Sequence, residues 1–286
     1  EVIIEGIYEG MTDAEYHGDP VEGGSLSNSG AKTLLKSPAL YRWQLDHRVE
    51  KHEFDVGHAV HAKVLGVGMD VVAIPDDVLS AAGAANTKAA REFIDAAREA
   101  GRVPLKADVI AQVDAMAEAV LTHPLARALF ERPGVAESSI FSPDPETGEW
   151  MRARPDFLPD PSDGRTIIVD LKTAVTADPR EFDRSAAEHG YDMQSEFYPE
   201  LVRRVRGDHD TAFVFVVVEK TAPYLVSVVE LDEQFSQIGR AKVRRAIDTF
   251  HQCRQANEWP GYAPIVHKVE PGRWYVIKSE EEQYAS

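Results

Sequence analysis

Ile167-Ile168-Val169-Asp170-Leu171-Lys172, preceded across a turn by Arg154-Pro155-Asp156, is the stretch that decides how this chain is read. A strand presents successive residues to opposite faces, so Asp170 and Lys172 project together while Val169 and Leu171 point into a core. Two carboxylates and a lysine converging where two strands meet can bind a divalent metal and place a water beside it. Phosphodiester cleavage needs that equipment, and the pattern points to a nuclease. A bare Asp-x-Lys is equally the solvent face of a half-buried strand. Its place after a Pro-Asp strand and a hairpin is what favours a site.

On the N-terminal side, residues 1–24 read as irregular, punctuated by Gly18, Pro20, Gly23 and Gly24. Asn28 begins a helix through Ala31, Leu34 and Leu35, and Ser37-Pro38 restarts it, serine as cap and proline at the first helical position. Further helices are expected over about Phe54–Leu65, from a Thr87 cap to Gly101, over Asp108–Leu121, and from Pro124 to Phe130, with a short strand at Val71–Ile74. The texture changes at Gly134. Val135–Phe141, Trp150–Phe157 and Thr166–Leu171 read as an antiparallel meander, with turns at Asp144–Gly148 and Asp160–Gly164. Helices at about Pro179–Glu188 and Met193–Val205 follow, then a strand pair at Thr211–Glu219 and Tyr224–Leu231. A long helix covers Phe235–Asn257, and short strands are expected around Val266 and Tyr275. The sum is a mixed α/β domain over residues 25–278 with a helical N-terminal part, ending in an acidic tail at 279–286.

Two further groups could join the carboxylates. In Gly57-His58-Ala59-Val60-His61, Gly57 and His61 share a helical face, and imidazole can complete a metal shell begun by carboxylates. His58 lies on another face. Gln194 and Tyr198, in Gln194-Ser195-Glu196-Phe197-Tyr198, are one helical turn apart, so amide and phenol can address one spot. Arg152 and Arg154 alternate with Asp156 and are candidates for phosphate contacts. Arg203, Arg204 and Arg206 close a helix, where cations also complement its C-terminus. Ser37 and Arg42 are candidates for a DNA-end phosphate, and Lys242, Arg244 and Arg245 read as a solvated face.

At 286 residues, with 43% hydrophobic and 8% aromatic residues, the chain has ample material for a core. One cysteine, Cys253, excludes an internal disulfide and a cysteine-held iron–sulfur cluster. No apolar run reaches the length of a membrane span, and the expectation is a soluble, cytoplasmic protein. A formal net charge of −17 argues against sequence-independent coating of nucleic acid, which rests on neutralising phosphates. It leaves room for an enzyme with its cations gathered in one groove. There is no P-loop, dinucleotide glycine motif or zinc-type cysteine pairing.

Taken in order, Gly57-x-x-x-His61, Pro155-Asp156, Asp170-x-Lys172 and Gln194-x-x-x-Tyr198 resemble the PD-(D/E)xK nuclease superfamily. More narrowly they resemble the branch holding the RecB nuclease domain, lambda-type exonuclease and the RecE exonuclease. Leu26-Ser27-Asn28-Ser29-Gly30 and Leu35-Lys36-Ser37-Pro38-Ala39-Leu40-Tyr41 also look like the start of phage RecE-like exonucleases. The resemblance spans about Ser25–Tyr262. It implies a restriction-endonuclease-like mixed sheet flanked by helices. It also implies metal-dependent, 5′-to-3′ digestion of linear double-stranded DNA from its ends, in phage-type recombination in a bacterial cytoplasm. By resemblance, His61, Asp156, Asp170 and the Leu171 carbonyl hold Mg²⁺ or Mn²⁺, Lys172 is the catalytic lysine, and Gln194 with Tyr198 supports the site or the DNA. Glu137 is a candidate outer or second-metal carboxylate. A single-strand annealing protein as partner and a homo-oligomer are implied too. The alternatives are a repair or restriction endonuclease on the same fold, a catalytically silent DNA-processing scaffold, and an unrelated metabolic α/β enzyme.

Overall fold

A computed structural model describes residues 2–47, 56–67, 70–162 and 164–284. Residues 2–24 are more ordered than their glycines suggest. Strand β1 (Gly6–Tyr8) is followed by helix α1 (Asp13–Gly18), whose Thr12 cap and Glu15 form a reciprocal capping box. The irregular reading of this segment is therefore corrected: β1 finds its partner 130 residues away, out of reach of any local pattern. Strand β2 (Leu26–Ser27) leads into α2 (Asn28–Lys36), capped by Ser27, and Ser37 caps α3 (Pro38–Asp46), as the cap chemistry predicts. Helix α4 (Val56–Leu65) carries Gly57 and His61; the expected start at Phe54 lies outside the described residues. Strand β3 (Val71–Ala73), α5 (Lys88–Glu99) with its Thr87 cap, β4 (Val103–Leu105), α6 (Ala107–Thr122) and α7 (Pro124–Phe130) complete the N-terminal half.

The expected meander is instead divided between two sheets. Val135–Phe141 breaks into β5 (Gly134–Ala136) and β6 (Ser139–Pro143), and Trp150–Phe157 into β7 (Trp150–Ala153) and β8 (Phe157–Pro159). Both breaks have local causes. Glu137 has a left-handed backbone (φ 53°), which turns the chain out of one sheet. Pro155 lacks an N–H and disfavours the helical region for Arg154, so the ladder stops before Asp156. Strand β9 (Thr166–Ala174) runs longer than expected, through the Asp-x-Lys. Helices α8 (Phe182–His189) and α9 (Tyr191–Arg206) then cross over to β10 (Thr211–Glu219), which pairs parallel with β9 from Thr166 through Ala174. β11 (Val226–Glu230) closes the edge, and α10 (Glu233–Ala256) packs back along α9. The strands expected around Val266 and Tyr275 are absent among the described residues. Residues 257–272 are irregular and α11 (Arg273–Tyr284) is an exposed helix that takes in the acidic tail up to Tyr284.

Among the described residues the main sheet has the order β11-β10-β9-β8-β5, and a second runs β1-β6-β7-β2. β3 and β4 form a separate parallel pair. Alternation along β9 and β10 feeds two cores. Val169, Leu171, Val216 and Val218 pack against α4, α6 and α7, while Ile168, Phe213, Phe215 and Val217 pack against α2, α8, α9 and α10. The main sheet thus lies between two helical layers, with Asp170 and Lys172 facing the α9 side.

Candidate active site

The break before β8 makes the site. β8 pairs with β9 only at Phe157–Val169, so beyond that point β9 offers backbone to something other than β8. The Leu171 N–H donates to Asp156 Oδ2 at 2.6 Å, and the carboxylate takes the place a strand would have held. From the opposite helical layer, His61 brings Nε2 to 3.0 Å from the same Oδ2, while its Nδ1 lies 2.7 Å from the Gly57 carbonyl. The helical spacing of Gly57 and His61 therefore fixes the ring and directs Nε2 to the carboxylate.

Asp170 is 2% exposed. Its Oδ1 accepts from Gln194 Nε2 at 2.7 Å, and its Oδ2 faces the Lys172 ammonium at 2.7 Å without any well-aligned hydrogen bond. The half-buried Tyr198 lies beside Gln194, and burial pushes its phenol well up with Gln194 opposing the shift. The ammonium of Lys172 sits 4.9 Å over the Tyr191 ring, which packs on Phe182 and Phe215. Glu137 joins the edge: its N–H donates to the Asp156 carbonyl at 3.1 Å, and its half-buried carboxyl lies within the field of Asp156 and His61.

Burial works against every charge here, and the neighbours decide the outcome. It pushes Asp156 up, yet His61 and Lys172 hold that carboxyl below its ordinary value. Asp170 is lifted to about 6, by burial first and then by Asp156. Burial lowers His61 and Lys172, but the carboxylates prevail, raising the imidazole to about 9 and the amine above its usual value. The arrangement is a four-group charge network. Two carboxylates and an imidazole are donors suited to a hard divalent cation, and the unsatisfied buried Oδ2 of Asp170 is what such an ion would engage. Among the described residues no three His, Cys, Asp or Glu side chains are gathered as a ready-made metal cage. The donors are instead paired with one another and with Lys172.

The other sequence candidates are placed elsewhere. Arg152 is buried against Asp19 (2.6 Å) and the Ser25 carbonyl. Arg154 binds Asp13, Ser139 and the Met11 carbonyl over the Tyr16 ring. Both therefore anchor the N-terminal segment, not a phosphate, and their partners Asp19, Asp13 and Met11 lie in the stretch read as irregular. Ser37 is spent as a helix cap and Arg42 pairs with Asp46. Arg203 and Arg204 pair with Glu200, and Arg206 with Asp208. The solvated face expected on α10 is corrected in part. Lys242 binds the buried Asp192, and Arg244 joins Arg204 on the fully buried Asp144, while Arg245 is exposed. The reading missed Tyr191 and Lys32, whose ammonium donates to the His189 carbonyl at 2.8 Å. Neither carries a motif; a glycine between two helical patterns was the available signal.

Comparison with known families places this arrangement. Residues 27–268 match the model of a PDDEXK-like domain of unknown function, DUF3799. The chain belongs to the DUF3799 family. It is accordingly a member of the PD-(D/E)xK superfamily, with the restriction-endonuclease-like fold expected from the motifs. Among solved structures, DUF3799 as seen here is similar to a crystal structure from Eubacterium rectale named "Putative exonuclease". The TM-score is 0.59 at 12% identity, over 94% of this chain and 98% of that one, a likeness of fold. A second structure, SSO0001, covers 68% of this chain and 84% of its own at 15% identity, but its TM-score of 0.29 supports no argument. No curated protein sequence matches. No helix among the described residues is long and apolar enough to cross a membrane.

Proposed function

We propose that this DUF3799 chain is a metal-dependent deoxyribonuclease of the RecE and lambda-exonuclease type, degrading linear double-stranded DNA. The observation that carries the reading is the meeting of four sequence-distant motifs at one strand break. His61 touches Asp156, Asp156 holds the β9 backbone at Leu171, and Asp170 is gripped by Lys172 and Gln194. A structural ion-pair cluster does not require that particular set in that order. The net charge does not oppose it, because local cations rather than the molecular sum face the substrate.

Asp156, Asp170 and His61, with the Leu171 carbonyl, would hold Mg²⁺ or Mn²⁺, and Glu137 would act as an outer carboxylate. A bound ion supplies Lewis acidity and a more acidic water. The chain's own residues do the rest. Lys172, whose amine stays charged beside Asp170, orients the attacking water and stabilises charge growing on the phosphate oxygens. Gln194 holds Asp170 in one rotamer, and Tyr198 lies beside Gln194. Tyr191 shields the lysine from bulk water.

Phage-type recombination, 5′-to-3′ polarity, a ring or other homo-oligomer and a single-strand annealing partner belong to the same proposal. Supplying linear and covalently closed duplex with Mg²⁺ tests it. Loss of the linear form alone supports an exonuclease. Cutting of the closed circle moves the assignment to an endonuclease, and cleavage of neither leaves a silent scaffold.

A further inference from the structure

The segment His189–Gln194, where α8 meets α9, does more than carry Gln194. Its Gln194 grips Asp170, its Tyr191 ring lies under Lys172, and its His189 carbonyl holds the ammonium of Lys32. Lys32 reaches this place from α2, passing Gly190. A Cβ on Gly190 would lie 2.7 Å from Lys32 Cδ, so the glycine leaves the groove through which the stem runs. Lys32 is half-buried, and among the described residues no carboxylate lies within ion-pairing distance of it. The other cations considered as phosphate contacts are already paired within the fold: Arg152 with Asp19, Arg154 with Asp13, Lys242 with Asp192, Arg204 and Arg244 with Asp144.

We propose that Lys32 is a second phosphate-binding lysine of this site, gripping the substrate strand beside the phosphate that faces Lys172. The inference rests on the nuclease reading above and names a contact that none of its motifs contains. A half-buried ammonium held by a neutral carbonyl, in the field of a second ammonium, is an arrangement that an anion between the two would relieve. Burial first and Lys172 second lower the Lys32 amine to about 8, while Asp170 and Asp192 oppose the shift. The competing role is a tether from α2 to the C-terminal end of α8, where a cation also complements the helix dipole.

Salt dependence separates the two roles. Binding of a linear duplex, without metal, is measured between 50 and 200 mM salt for the wild type, Lys32→Met, Lys32→Arg and Lys88→Met. Lys88 pairs with Glu92 on the surface of α5 and controls for loss of one charge. Loss of one phosphate contact lowers the magnitude of the slope of log K against log salt by about 0.9 and weakens binding. K32M is expected to show both, K32R to retain the wild-type slope, and K88M to change neither. A tether alone would lower the thermal midpoint of K32M and leave its slope intact, which overturns the Lys32 proposal. With wild-type cleavage of linear duplex in Mg²⁺ present, that result leaves the nuclease reading standing. Wild type that neither binds nor cleaves overturns both.

Discussion

Gln194 satisfies one oxygen of Asp170 and leaves the other facing Lys172. Gln194→Ala removes that hold without touching the reacting groups. Loss of a residue that orients a ligand typically costs about 10- to 100-fold in metal affinity or activity. We therefore expect Q194A to need more Mg²⁺ for half-maximal cleavage, read from a metal titration, with its thermal midpoint close to wild type. An unchanged Mg²⁺ requirement would contradict the role assigned to this residue. At this scale the sequence was legible wherever one periodicity ruled. Strand alternation pairs Asp170 with Lys172, and helical spacing pairs Gly57 with His61 and Gln194 with Tyr198. It was illegible where the partner is distant or a bare carbonyl. Arg152 and Arg154 look free until Asp19 and Asp13 are seen, and nothing near Lys32 announces His189.

Helices α9 and α10 meet at Gly239, where a Cβ would fall 2.1 Å from the Asp192 carbonyl oxygen. Gly239→Ala forces the helices apart. Overpacking of this kind costs about 1–3 kcal/mol, and because α9 carries Gln194, cleavage should fall along with the thermal midpoint. Unchanged stability would show that the helices part without cost. The hairpin between β6 and β7 is pinned to the same pair of helices by Asp144, fully buried between Arg204 and Arg244. Burial pushes its carboxyl up, but Arg244 and Thr147 outweigh it and hold it below the ordinary 3.8. A lowered value in the fold means stability present above pH 3.8 and lost as pH falls below it. Asp144→Asn should therefore destabilise by about 1.5–3 kcal/mol at pH 7, where Arg204 and Arg244 each lose one of their carboxylate partners, and the gap to wild type should narrow in acid. A gap independent of pH would contradict the charge as its source. Elements with strong caps were readable in advance, as at Ser37 and Thr87. The meander was not, because one left-handed Glu137 and one Pro155 divide each apparent strand between two sheets.

On the proposed nuclease reading, a molecule of charge −17 meets DNA with many of its arginines already spent internally. Many described guanidiniums hold the fold together, which leaves Lys172 and Lys32 at the site as the local cations. DNA affinity should consequently be modest and fall by only about tenfold between 50 and 200 mM salt, as filter binding or anisotropy would show, whereas a flat response would argue against phosphate contacts. The helical spacing and strand patterns foretold a mixed α/β domain, and the resemblance to PD-(D/E)xK nucleases implied a mixed sheet between helices. The ordered first strand depends on contacts across more than 130 residues that no local pattern encodes, whereas the partition into two sheets follows from the breaks at Glu137 and Pro155. The central claim is that the His61, Asp156, Asp170 and Lys172 cluster cleaves DNA. Its most direct measurement follows linear and closed-circular duplex incubated with Mg²⁺ and wild type, Lys172→Ala or Asp170→Ala, with folding checked by circular dichroism. The account predicts loss of linear DNA with wild type only, the circle intact, and both variants folded and inactive. Folded K172A or D170A that digests DNA at the wild-type rate, or wild type inert on every DNA offered, would contradict it.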